Sequence, residues 1–374
     1  MASAHGIREI SWVDCPGGGQ VTLDGATAYV GHMAAPYGTS IYDVKDPKNP
    51  KKLAEIGMPE RMHSHKVRVK NGVMVVNHEG LGGNPPPGES GGLGIYDVST
   101  PAKPRLIHKW KTPGQGVHRF EFDGNYAYIS PTVEGYQGNI MMILDMKDPS
   151  KPEEVGRWWA PGQWVAGGEK PNFRGTMTRC HHPLRLGNRL YTSYWHAGLF
   201  ILDIDDMSKP KMVSGLDWSP PFPWPTHTAL PIPFPIQGRR IMVVADEDVA
   251  QLFPSPPSFL WLVDITDETK PVPFASFQIE GIDGSPQPPM TGCHQPCERV
   301  TGTEIPMAWF AHGLRVVDIA KPHQPREVAH FLPDPPPGSP RVSANDVGMD
   351  DRGLLYLIDR VRGFHILERT NGHT

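Results

Sequence analysis

The sequence predicts an all-β fold made of one repeated unit, on three observations. First, an apolar strand that ends in Asp and is followed seven residues later by Pro occurs six times: SIYDVKDPKNP, GIYDVSTPAKP, MILDMKDPSKP, FILDIDDMSKP, LWLVDITDETKP and LRVVDIAKPHQP. The acids are Asp43, Asp97, Asp145, Asp203, Asp264 and Asp318, and the prolines Pro50, Pro104, Pro152, Pro210, Pro271 and Pro325. A seventh copy, FHILER, has Glu368 in the Asp position, and successive copies lie 54, 48, 58, 61, 54 and 50 residues apart. Second, each copy is preceded by two strands of alternating pattern around a tight turn, with Gly in most cases. Third, HGIREISWV at residues 5–13 is a strand with no partner beside it in sequence. A period near fifty with several short strands per unit is the pattern of propeller blades. The expected fold is a seven-bladed β-propeller, one domain over residues 1–374, with strand 5–13 completing the seventh blade and closing the ring.

The unit has a physical reading. The apolar run is a strand, its Asp accepts backbone N–H groups from the turn that follows, and Pro ends the ladder. A further apolar strand comes next, as in KLAEIGM, RLIHKW, EEVGRW and REVAHFL. These units resemble the LVIVD-repeat proteins, whose repeat has the same apolar-Asp strand and Pro-containing turn. The resemblance covers nearly the whole chain and implies a propeller, without implying an activity.

Taken in order, the first blade runs from about Gly19 to Gly57, with QVTLDGATAYVG as its hairpin. The second opens with HKVRVKNGVMVVNHE and carries the loop GLGGNPPPGESGG. The third opens with HRFEFDGNYAYIS, the fourth with HPLRLGNRLYTSYW and the fifth with HTALPIPFPIQGRRIMVVADED. The sixth opens with HQPCERVTGTEIPMAWFAH; the seventh opens with NDVGMDDRGLLYLID and ends in FHILERT. The long, irregular connections are 80–92, 159–179, 218–226, 249–258, 282–291 and 333–342, all on one face by strand order. Variable loops on a rigid scaffold are where sites are built.

Composition narrows the partners. Lys+Arg 36 against Asp+Glu 40 gives −4 with no long run of either sign, which argues against nucleic acid or an anionic membrane. No apolar stretch is long enough for a transmembrane helix, and MASAHGIREISW lacks the pattern of a secretory signal. Four cysteines in so long a chain make no disulfide framework, so a cytoplasmic protein is expected. The expected partner is a small-molecule substrate.

Chemistry enters where the first strands begin. Their inner residues align as Val21, Val67, Phe120, Leu184, Ala229, Pro296 and Val347. Two positions earlier stand Gly19, His65, His118, His182, His227, His294 and Asn345. With 17 histidines in 374 residues, chance places well below one at seven positions, yet five are His. First strands line the axis of a propeller, so His65, His118, His182, His227 and His294 are expected to converge there on one divalent transition metal. Imidazole suits Zn, Cu, Fe and Ni. Fe(II) is favoured, with Zn, Mn or Cu as the other choices. The competing reading is a water-filled structural ring.

The ends of the second strands supply a further set: His32, His78 with Glu79, Glu134, His196, Asp246 with Glu247, His312, and Asp359 with Arg360. A metal-bound imidazole gives its other N–H to a carboxylate or carbonyl. Glu79, Glu134, Asp246, Glu247, His196 and His312 are therefore the expected catalytic acid–base and orienting groups. Trp224, His78, Trp195 and Arg360 are the expected substrate contacts. Cys180 and Cys293 adjoin the ring, where a thiolate can ligate or a thiol can simply pack.

Axial histidines backed by acids resemble the iron site of the carotenoid-cleavage oxygenases in arrangement, although those enzymes lack the Asp-to-Pro repeat and use four histidines. The architecture also resembles the selenium-binding-protein-like thiol oxidases, without a shared motif. The expectation is a metal-dependent enzyme, an oxidoreductase with dioxygenase-like oxidative cleavage of a small apolar or aromatic substrate. Metal-dependent hydrolysis or C–C lysis is the alternative, and a non-catalytic interaction scaffold is the third reading.

Overall fold

Each Asp of the repeat accepts the backbone N–H two residues on, closing the turn the sequence requires. The acceptors Asp43, Asp97, Asp145, Asp203, Asp264 and Asp318 take Lys45, Ser99, Lys147, Asp205, Thr266 and Ala320 at 2.8–2.9 Å. One or two residues before each Asp, the pairing with the following strand slips by one residue. Such a bulge sharpens the local twist at the sheet edge. The same turn and the same bulge recur in six copies, so the repeat is structural as well as sequential.

The computed structural model describes residues 2–15, 17–171, 178–218, 222–247, 257–282, 288 and 290–370. Apart from a single 3-10 turn at Val165–Gly167, its regular elements are antiparallel strands. The first sheet contains Gly18–Asp24, Thr27–His32, Tyr37–Asp43 and Lys51–Gly57 in sequence order. The second contains Val67–Lys70, Val73–Gly80, Gly91–Asp97 and Arg105–Thr112, with Met62–His63 also pairing to Val73–Gly80. The third contains Val117–Phe122, Tyr126–Pro131, Met141–Asp145 and Glu153–Trp158. An eight-stranded sheet follows. It is two sets of four, Thr178–Leu186 to Lys211–Leu216 and Thr226–Pro231 to Val272–Phe277, joined by the one pair Trp195 with Thr226. Next come Gln295–Pro296, Glu304–Ala308, Leu314–Asp318 and Arg326–Leu332, then Ala344–Met349, Leu355–Asp359 and Gly363–Arg369.

The core lies between successive sets of four. Tyr29 and Ile41 of the first set pack with Val67, Val69 and Met74 of the second. Val75 and Ile95 pack with Phe120 and Ile129, and the pattern continues along the chain. One cluster unites the two ends, with Cys15, Val21, Val30 and Tyr42 against Tyr356, Ile358, Phe364 and Ile366. Strand faces buried on both sides explain why the apolar runs are nearly continuous.

The N-terminal segment is divided. Ile7–Val13 pairs with Gly363–Arg369, the expected partner. Residues 5–13 were expected to be one strand, but the chain turns at Gly6 with φ +62°. Ser3–His5 then pairs with Arg326–Leu332 of the preceding sheet. A side chain at Gly6 would meet the Arg369 guanidinium at 2.6 Å, so the crossing needs glycine. Of the expected long loops, residues 172–177, 219–221, 248–256, 283–287 and 289 lie outside the described residues. No helix among the described residues is long and apolar enough to cross a membrane.

Removing residues 2–13 uncovers the edge of Gly363–Arg369 and loses both pairings. The melting temperature should fall by at least about 5 °C, since each kcal/mol moves a chain of this size by roughly 2 °C or more. An unchanged melting curve in the shortened protein would show that the segment is dispensable.

Candidate metal centre

An arc of six imidazoles lines the starts of the first strands. Ring centroids are 4.5 Å apart for His63–His65, 4.9 Å for His65–His118 and 4.8 Å for His118–His181. They are 4.4 Å apart for His181–His227 and 4.1 Å for His227–His294. His65, His118, His227 and His294 stand where their strand positions place them. The Gly at the equivalent position of the first sheet has a steric cause. A Cβ on Gly19 would meet the Cβ of His65 at 2.7 Å, and one on Gly31 would meet its carbonyl at 2.6 Å. Asn345, the other exception, accepts the His294 Nδ1–H on its carbonyl at 2.6 Å and donates its side-chain amide to the Gly19 carbonyl.

His182 was expected in this arc and is not in it. The pairing of Thr178–Leu186 with Arg189–Trp195 slips by two residues between Thr178 and His182, where the strands of His118 and His227 slip by one. The bulge moves His181 into the arc and turns His182 along the channel. His182 is instead fully buried, with Nε2 3.1 Å from Lys66 Nζ and Nδ1 3.4 Å from Arg119 Nη1. His63, also missed, precedes His65 in a His-Ser-His run, and alternation puts both rings on one side. Its strand pairs His63 opposite Glu79.

Two glutamates complete the cage. Glu79 Oε2 accepts His63 Nε2–H and His118 Nδ1–H, each at 2.6 Å. Glu247 Oε1 lies 3.7 Å from His294 Nε2. Donor atoms of His63, His65, Glu79 and His118 all lie within 4.8 Å of one another, as do those of His181, His227 and Glu247. Both glutamates sit three residues past the inner residue of a second strand, after Val76 and Val244. Phe310 and Arg360 hold the same position after Met307 and Leu357. The chain can reach His118 from Glu79 because Gly116 bridges to Glu79; a Cβ there would meet the His78 carbonyl at 2.2 Å.

Several expected residues lie elsewhere, mostly through strand alternation. His78 and Asp246 precede the two cage glutamates, so their side chains point the opposite way. The His78 ring lies against Gly94, and burial pushes its pKa down to about 4. Asp246 accepts Trp261 Nε1–H at 2.8 Å in the apolar layer, where burial pushes its carboxyl up to about 8. Glu134 lies in the turn beyond Tyr126–Pro131 and makes no hydrogen bond or ion pair with a cage residue among the described residues. His196 donates to the Pro223 carbonyl at 3.1 Å, and His312 bonds Thr291 Oγ1 at 2.9 Å. Trp224 is buried at the start of Thr226–Pro231. Trp195 does reach the cage, with its ring 5.5 Å from that of His181 and 6.5 Å from that of His118. Arg360 reaches it too, donating Nε–H to Asn345 Oδ1 at 2.7 Å. Cys180 and Cys293 are buried thiols; Cys293 Sγ donates to the Asp246 carbonyl at 3.1 Å.

Burial holds His65, His118, His181, His227 and His294 well below the usual histidine range, reinforced mainly by neighbouring imidazoles and guanidiniums. Neutral rings each keep one lone pair. His181 and His294 give Nδ1–H to the carbonyls of His227 and Asn345, at 2.8 and 2.6 Å, leaving Nε2 unprotonated. His63 Nδ1 is buried without a partner once Nε2–H is given to Glu79. This donor set fits a transition ion.

Below the arc, Lys66, Arg119, His182, Gln295 and Glu298 bond to one another and plug the channel. Further along the same strands a cavity of about 580 Å³ opens, lined by residues such as Arg68, Glu121, Leu184, Pro231, Glu298 and Met349. Glu121, His182 and Glu298 also have donor atoms within 4.8 Å of one another. Lys66 Nζ contacts two of those three, and burial pulls its pKa well down; in the first group the Arg179 guanidinium lies 3.3 Å from His118 Nε2 and 3.8 Å from Glu79 Oε1.

A family model of the LVIVD repeat matches residues 120–159 and 186–217. In those two stretches the chain is similar to the LVIVD repeat. No curated protein matches it. Among solved structures, the chain is similar to Chaetomium thermophilum Raptor, with TM-score 0.63 and 12% identity over 97% of this chain and 29% of that one. It is also similar to the RRP9 WD40 repeats, with TM-score 0.63 and 9% identity over 98% and 99% of the two chains. Saccharomyces cerevisiae Sqt1 gives TM-score 0.58 and 8% identity over 96% and 86%. At such identities the likeness is one of fold, and it places this all-β chain among propeller-type structures.

The depressed imidazoles make a signed statement about stability. The unfolded chain takes up protons below about pH 6.5 that the folded chain refuses. Their contribution is therefore full above that pH and lost as pH falls, by up to about 1.4 kcal/mol per pH unit for each ring. In chelator, the melting temperature should hold between pH 8 and 7 and fall steeply from 6.5 to 5. A flat profile down to pH 5 would mean the rings are solvated.

Proposed function

We propose that this LVIVD-repeat protein is a metal-dependent enzyme whose ion is held by His63, His65, His118 and Glu79 at the axis of a seven-bladed propeller. The carrying observation is the set of three imidazoles and one carboxylate gathered within 4.8 Å, with a buried, unpartnered Nδ1 on His63. We take the repeated sets of four strands, with Ile7–Val13 completing the last and one core uniting the two ends, as seven blades of one closed domain. Sheets closed in this way hold donors from distant parts of the sequence on one axis.

Nitrogen donors with one carboxylate suit Fe(II), and also Zn, Mn or Cu. Such an ion supplies either oxygen chemistry or Lewis acidity toward a carbonyl or water. The protein supplies the rest. Glu79 fixes two imidazoles by accepting their N–H groups, and Glu247 is the carboxylate positioned to hold a proton near His294 and His181. Trp195 and Phe310 wall the cage with aromatic surface, which supports an aromatic or apolar substrate body. Oxidative cleavage of such a substrate is the first reading, and metal-dependent hydrolysis or C–C lysis the second. Trp195 and Phe310 have positive φ, 48° and 27°. Strained non-glycine residues gather at functional sites, which favours an enzyme over a scaffold.

Elemental analysis of the purified protein should find close to one equivalent of a transition metal. His118→Ala and Glu79→Gln should each weaken metal binding by about 10-fold or more. Glu134→Gln should leave both metal and turnover unchanged. A protein with no stoichiometric metal, or full occupancy in both cage variants, would refute this reading.

A further inference from the structure

A guanidinium stands against the imidazole arc, and the irregular pairing of one strand puts it there. Between the pairs Thr178–Trp195 and His182–Ser193 run Arg179, Cys180 and His181, opposite the single residue Tyr194. The strands of His118 and His227 slip by one residue at this place, so Thr178–Leu186 brings one residue more to the arc than they do. Cys180 packs in the apolar layer and His181 joins the arc. Arg179 reaches the arc as well.

Its Nη2–H donates to His118 Nε2 at 3.3 Å, its Nη1 is 3.8 Å from Glu79 Oε1, and its Nε is buried without a partner. The guanidinium lies over the indole of Trp195 at 4.1 Å. Trp195 is held at φ +48°, a conformation bulky residues rarely adopt, in a turn closed by the Tyr194 N–H on the Gly198 carbonyl at 2.7 Å. Arg360 has a similar seat over the Phe310 ring at 5.4 Å, but its Nε–H goes to Asn345 Oδ1. Among the described residues, Arg179 is the guanidinium bonded to a member of the set His63, His65, His118 and Glu79.

That bond cannot coexist with a metal ion on His118. A ligating imidazole is neutral, with one N–H and one lone pair. His118 gives Nδ1–H to Glu79 Oε2 at 2.6 Å, so its lone pair is on Nε2, where Arg179 takes it. An ion on Nε2 needs that same lone pair. An ion on Nδ1 drives the ring proton to Nε2, and two N–H groups then face each other. Either choice breaks the bond. The guanidinium and the ion are also like charges beside one carboxylate, Glu79, and repel. A route out exists. The Arg179 side chain is 19% exposed, against 5% for Glu79. The indole can keep the guanidinium by cation–π contact while its N–H groups turn from His118, and Glu247 attracts it electrostatically.

We propose that Arg179 is an internal cation that competes with the metal ion for His118 and Glu79, and that the ion displaces it. Loading the ion and moving Arg179 are one event, and an ion enters only if its bonds outweigh those of the guanidinium. This rests on the reading of the cage as a metal centre.

Titration of chelator-stripped protein with Zn(II) or Fe(II), read by competition with a chromophoric chelator, tests this. Arg179→Met removes the charge and keeps the aliphatic stem. It should tighten metal binding about tenfold or more, the worth of one hydrogen bond from a charged donor. Damage to the fold would weaken binding, so the direction separates displacement from a structural role. Wild-type crystals give a readout that needs no variant: in metal-loaded protein Arg179 Nη2 should lie beyond hydrogen-bond reach of His118. Equal or weaker binding by Arg179→Met, or an intact Arg179–His118 bond in the loaded crystal, overturns the proposal and leaves the metal centre standing. No uptake of either ion by either protein overturns both. Uptake by the variant alone supports both.

Discussion

The site depends on how closely the first strands pack at their starts. Gly19 and Gly31 let the main chain of His65 come within contact distance, and Gly116 does the same where Glu79 meets the third sheet. A Cβ at any of these places would have to displace backbone, not a flexible side chain. The approach puts imidazole against imidazole at 4.1–4.9 Å and removes them from water. Desolvation then pulls the pKa of His65, His118, His181, His227 and His294 well down, so geometry and protonation state have one cause there. Two glutamates at equivalent strand ends supply the only carboxylates that reach the arc among the described residues.

Much of this is legible in the sequence because the repeat fixes register. Aligning the first strands on their inner residues finds His65, His118, His227 and His294, and it flags Gly19 as an exception whose cause is steric. The alignment fails at His182 because its strand slips by two residues where those of His118 and His227 slip by one, and spacing alone does not show the difference. His63 is missed because it precedes the aligned strand, although the His-x-His spacing carries the signal. Among strand-end acids, Glu79 and Glu247 belong to the cage while Asp246 and Glu134 do not. A one-residue step reverses a side chain, and a few further residues carry it out of the sheet. The arginines leave no pattern at all: Arg119, Arg179 and Arg360 come from three different strand positions and meet only in three dimensions.

The channel is divided by charge. Above, neutral imidazoles and two carboxylates offer lone pairs that face guanidiniums on aromatic platforms. Below, Lys66, Arg119 and Glu298 seal the axis with mutual hydrogen bonds, and the 580 Å³ cavity lies beyond that seal. Two cation-capable groups of donors therefore have different prospects. In the cage around Glu79 the Nδ1 of His63 has no partner, while the Arg179 guanidinium touches His118 and Glu79; at Glu298, Lys66 Nζ touches two of the three donors and no donor is left unpartnered.

Anomalous diffraction at the absorption edge of the metal found in the purified protein tests the central claim most directly. The account predicts one peak between His63, His65, His118 and Glu79. A peak at Glu121, His182 and Glu298, or no peak in crystals of metal-loaded protein, would contradict it.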